Sequence, residues 1–113
     1  MGLLFYGSDP KPAEMPDRVL AHLKLVATTK LRRGESFTVT WQNATKLGEG
    51  RTSIWMQPAI PLRFVFDEPE PAALDSHYLH ELADAANSTN GMYLDLQQEH
   101  DSAEPKGAVP VPV

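Results

Sequence analysis

Residues 35–42 alternate without a break, Phe37, Val39 and Trp41 against Ser36, Thr38 and Thr40, a period of two that an extended strand with one covered face satisfies. Residues 51–57 alternate again, with Ile54 and Met56 facing one way and Arg51, Ser53 and Trp55 the other. In residues 62–66, Leu62, Phe64 and Phe66 share a face. The links between these runs are short, a Gly- and Asn-rich stretch at 43–50 and a connection bracketed by Pro58 and Pro61. Short links favour antiparallel neighbours, so residues 35–67 are expected to form a three-stranded meander with one apolar face to be covered.

The cover comes from two amphipathic segments. Over residues 16–33, Val19, Leu20, Leu23, Val26, Ala27 and Leu31 recur at helical spacing. Pro16 and Asp17 suit the start of that helix, Lys30, Arg32 and Arg33 suit its negative end, and Gly34 stops it. The opposite side, with Arg18, His22, Leu25, Thr29, Arg32 and Arg33, is read as a basic outward face. A second helix is expected from Asp75 or Ser76 to Asn87, with Tyr78, Leu79, Leu82, Ala83 and Ala86 as its buried stripe. Residues 3–6 read as a first strand, 11–14 as a loop and 92–96 as a last strand. The expected order is β-α-β-β-β-α-β: a single α+β domain over residues 1–97, mainly antiparallel, with both helices on one face of the sheet. Residues 98–113, acidic and then Pro-rich, are expected to be a disordered tail.

With 113 residues there is room for one domain with its own core. The absence of Cys removes disulfides, thiolate metal sites and thiol nucleophiles, and suits a reducing compartment. The opening residues carry neither a basic n-region nor an apolar run long enough for a signal peptide or a membrane span, so no membrane partner is expected and the cytoplasm is the expected location. The net charge of −5 conceals an asymmetry. Residues 1–66 carry nine Lys/Arg against five Asp/Glu, net +4, whereas residues 67–113 carry ten acids against Lys106 alone, net −9. Such a split directs attention to polyanion binding by the basic part.

No catalytic constellation emerges. There is no G-x-S-x-G elbow, and residues 48–53 lack the length and the Lys of a phosphate-binding loop. His77, His80, Glu81 and Asp84 lie one turn apart on the second helix, a spacing able to approach a divalent ion but expected of any solvated helix face. No metal, cofactor or catalytic residue is therefore assigned.

The sheet face turned away from the helices carries more information. It is expected to present Thr38, Thr40, Arg51, Ser53, Trp55, Gln57, Arg63 and Val65. A Trp among cations and hydroxyls is a stacking platform for single-stranded nucleic acid, with Arg51 and Arg63 beside Trp55 and with Arg32 and Arg33 adding weak, nonspecific phosphate contacts. The alternative is that Trp55 and Val65 cover each other, or that the face serves a protein partner or a homodimer.

The segments Met1-Gly2-Leu3-Leu4-Phe5-Tyr6-Gly7, Leu20-Ala21-His22-Leu23, Lys30-Leu31-Arg32-Arg33-Gly34-Glu35-Ser36-Phe37, Ser53-Ile54-Trp55-Met56 and Ile60-Pro61-Leu62 carry a resemblance over residues 1–97. In them the chain resembles a family of short uncharacterised proteins of high-GC Gram-positive bacteria, often labelled ATP-dependent DNA ligase. The resemblance implies a DNA context and brings no established catalytic residues. A ligase uses the Lys of a K-x-D-G motif as nucleophile, and Lys30-Leu31-Arg32-Arg33 has neither that Asp nor that Gly.

Overall fold

The computed structural model describes residues 1–42 and 50–96. Among these, six strands and two helices follow one another as β1 (Gly2–Tyr6), β2 (Ala13–Met15), α1 (Asp17–Arg32), β3 (Phe37–Gln42), β4 (Arg51–Met56), β5 (Leu62–Val65), α2 (Ser76–Ala86) and β6 (Met92–Leu94). The α+β class, both helices and the expected strands are present, with one strand more than expected. The tail at 98–113 and the 43–49 portion of the expected turn lie outside the described residues.

The meander does not form. The strands divide into two sheets, β2-β1-β5 and β4-β3-β6. Strand β3 pairs antiparallel with β4 as expected, Phe37 opposite Met56 and Gln42 opposite Arg51. Strand β5 instead joins β1, Leu3 opposite Val65 and Tyr6 opposite Leu62. Local geometry explains the departure. A turn at Gln57-Pro58-Ala59-Ile60, closed by Ile60 N–H on the Gln57 carbonyl at 3.1 Å, redirects the chain after β4, and Gly7 N–H then binds the Pro61 carbonyl at 2.9 Å. Alongside β1, Leu62 and Phe64 reach the same inner side as Leu4. Without β5, β1 would pair only with the three-residue β2.

Strand β2 falls where the sequence predicts a loop, because it is too short to show alternation and lies between Pro12 and Pro16. It nevertheless places Met15 in the core, fully buried. The second sheet is completed by β6, which runs parallel to β3 with Val39 opposite Met92 and Trp41 opposite Leu94. Gly91 makes this pairing feasible: its φ is +81°, and a Cβ there would stand 2.6 Å from the Thr38 carbonyl oxygen.

One core joins the two sheets. Helix α1 contributes Val19, Leu20, Leu23, Val26 and Ala27 and packs on β1 and α2, while α2 contributes Tyr78, Leu79, Leu82 and Ala86 and packs on β6 and β3. Leu4, Met15, Leu20, Leu23, Met56, Met92 and Leu94 are sealed from solvent, and burial of each such side chain contributes about 1.5–3 kcal/mol. The connector after β5 is held by Asp17, whose carboxylate accepts the Asp67 and Glu68 amides at 3.1 and 2.9 Å. Asp75 caps α2 by accepting from the His77 and Tyr78 amides. Among the described residues no helix is long and apolar enough to cross a membrane.

Candidate binding face

The second sheet buries Phe37, Val39, Trp41, Met56, Met92 and Leu94 on one side, so the pleat sends the intervening residues to the other. There Arg51, Ser53 and Trp55 project from β4, Thr38 and Thr40 from β3, and Tyr93 from β6. Trp55 and Tyr93 are each 54% exposed, more than any other Phe, Tyr or Trp among the described residues. Trp55 stands opposite Thr38, and Tyr93 lies beside Thr40. Two strand spacings and one two-residue step therefore separate the aromatics, about 12 Å between Cα atoms on ideal sheet geometry. The floor between them is polar and self-satisfied, with the Thr40 and Ser53 hydroxyls hydrogen-bonded at 2.6 Å.

The platform is held from behind. The Tyr6 hydroxyl, from the first sheet, donates to the Trp55 carbonyl and so occupies a backbone acceptor on the β4 edge. Tyr78 lies under the β6 end; its phenol, buried and near Asp95, is pushed up to about 12, first by burial and then by the Asp95 charge. The hydroxyl approaches the Asp95 backbone amide without closing a hydrogen bond of ordinary geometry.

The expected cation cluster is divided. Arg51 lies on the Trp55 face, opposite Gln42 and two residues along β4 from Ser53. Arg63 and Val65 belong to the other sheet, where the Arg63 guanidinium sits 4.3 Å above the Phe5 ring. Arg33 and Arg32 are exposed at the α1 end, Arg33 along a groove between α1 and α2 shared with His80 and Asp84. Lys30 turns inward instead. Its ammonium binds Glu35 at 2.9 Å and the Asn87 side-chain oxygen, tying the ends of α1 and α2 to the start of β3. The Lys30 hydrogen bond in turn holds the Glu35 carboxyl below its usual range.

His22 also departs from expectation. It is fully buried, because the start of α2 covers the side of α1 that the sequence spacing turns outward. His77 and Glu81 form a 3.3 Å contact one turn apart, both largely exposed. Among the described residues no three His, Asp or Glu side chains converge on a metal-sized site.

Tyr93 joins this face beyond the residues expected there, although its alternation with Met92 and Leu94 is visible in the sequence. The signal could have placed it outward; only the β3–β6 pairing places it beside Thr40. A family model described as a domain of unknown function (DUF7882) matches residues 1–98. No curated protein and no solved structure matches the chain.

Proposed function

From the premise that the chain belongs to the DUF7882 family, we propose that it is a small non-catalytic binding module that holds single-stranded nucleic acid weakly on the outward face of the β4-β3-β6 sheet. The observation that carries this reading is the pair Trp55 and Tyr93, each half exposed on one sheet face, with Arg51 on the same side. Bases stack on such rings for about 1–3 kcal/mol each without regard to sequence, and nearby cations attract the backbone. Arg32, Arg33 and Arg63 lie elsewhere on the surface and would act by long-range attraction. The cytoplasm is where such a module would meet its strands.

The same exposed aromatics support a second reading, a homodimer or a protein partner on this face. The DNA-ligase label of the resembling family would require a Lys able to take an adenylate, and Lys30 is already committed to Glu35 and Asn87.

The test is fluorescence anisotropy of a labelled single strand at low salt. Saturable binding is expected, with Trp55→Ala and Tyr93→Ala each weakening it by about five- to a hundred-fold. Absence of binding, or indifference to both substitutions, overturns the reading. Light scattering on the same samples distinguishes the dimer, which would lose mass on Trp55→Ala.

A further inference from the structure

Beside Trp55 the face opens into a recess of about 360 Å³, walled by Ser36 and Thr38 at the start of β3, by Asn87 and Thr89 after α2, and by Lys30 beneath. We propose that this recess receives the sugar of the nucleotide stacked on Trp55 and makes the face prefer RNA to DNA. The inference rests on the nucleic-acid reading above and adds to it the class of strand bound.

Three features favour a sugar over a phosphate. First, the recess is electrically balanced. Among the described residues Lys30 is its only cation, and its ammonium is shared between Glu35, which also lines the recess, and Asn87. Second, residues 86–89 bring the C-terminal end of α2 to the wall, and that end of a helix is negative and disfavours an anion. Third, the Ser36, Thr38 and Thr89 hydroxyls have no hydrogen-bond partner among the described residues, whereas Thr40 and Ser53 on the open floor bind each other and Ser88 donates to the Ala85 carbonyl at 2.6 Å.

Hydroxyls able to donate and accept, arranged beside an exposed indole, match a group that itself does both. The ribose 2′-OH is such a group and is the feature by which a protein distinguishes RNA from DNA at one site. A base lying on Trp55 carries its sugar one glycosidic bond away, within the reach of a recess that Trp55 itself borders. The volume is at the lower end of what small-molecule pockets offer, enough for one sugar and the edge of its base.

The test compares oligouridylate with oligodeoxyuridylate of equal length, which differ only in the 2′-OH, using the full chain. The ribo strand is expected to bind about three- to ten-fold more tightly, the contribution of one or two neutral hydrogen bonds. Ser36→Ala combined with Thr89→Val is expected to bring the ribo affinity down to the deoxy value and leave the deoxy affinity unchanged. Equal affinities that both depend on Trp55 would overturn the RNA preference and leave the binding face standing. A double variant that weakens both strands equally would also overturn it. Absence of binding by either strand would remove the nucleic-acid reading together with this one.

Discussion

His22 has both ring nitrogens engaged on opposite sides. Nδ1 donates to the Arg18 carbonyl at 2.7 Å, which leaves Nε2 to accept the Asp75 amide at 2.9 Å, and the ring lies 4.8 Å from that of Tyr78. This arrangement needs the neutral imidazole, because a protonated Nε2 cannot accept. Burial accordingly holds the His22 pKa below its ordinary 6.5, with the Arg18 charge adding to the effect and the Arg18 carbonyl and the Asp75 charge opposing it. As pH falls below about 6.5 the unfolded chain binds this proton before the folded one does, so stability falls until the pH passes the folded value, below which this contribution is flat. Chemical denaturation at a series of pH values from 8 to 5 should show that loss in the wild type. His22→Leu should cost about 1–3 kcal/mol at pH 7, because the Asp75 amide loses its buried acceptor, and should remove the His22 share of the slope. An unchanged slope would count against the assignment. A helical projection puts His22 beside Arg18 on a polar side, and nothing in the local spacing indicates that the cap of α2 will cover it.

At the scale of elements, what could be read depended on whether the information was local. Helix α1 is specified by its own stripe and its Gly34 stop, and the β3–β4 pairing by two alternating runs joined through a short link. The partner of β5 is a non-local choice, decided by what β1 lacked and by the turn at residues 57–60, so spacing alone pointed to the wrong neighbour. That one exchange reorganises the candidate site. It moves Arg63 away from Trp55, leaving Arg51 as the cation on the face among the described residues, while the parallel addition of β6 supplies Tyr93. The two arginines should therefore differ. Arg51→Ala should weaken a bound single strand and lower the slope of log affinity against log salt by about one unit or less, as expected for the loss of one phosphate contact. Arg63→Ala should leave that slope nearly unchanged and act instead through the Phe5 contact, a cation–π pair contributing about 0.5–1 kcal/mol at an exposed site. Titrations of both variants at several salt concentrations make the comparison, and equal slopes would show that the two sheets share one binding surface.

For the whole molecule, the charge split becomes a question of what competes for the face. Part of the acidic portion has structural work: Asp75 caps α2 and meets Arg18 at 3.5 Å, and Asp67 reaches the N-terminal ammonium at 3.4 Å. Removing those acids would alter the fold as well as the field. Residues 99–113 are different, for the buried core of the described residues runs from Leu4 to Leu94 and the family match ends at residue 98. They hold three acids and Lys106, so a chain shortened to residues 1–98 changes from net −5 to net −3. If these acids compete with a strand for the cations near the face, the shortened chain should bind oligouridylate more tightly at low salt. The gain should fade as ionic strength rises toward 1 M, where the screening length drops to about 3 Å. Thermal unfolding should remain where it is, since no described core residue is lost. A gain that persists at high salt would point to steric obstruction by the removed residues, and equal affinities at low salt would show that the acidic end and the Trp55 face act independently.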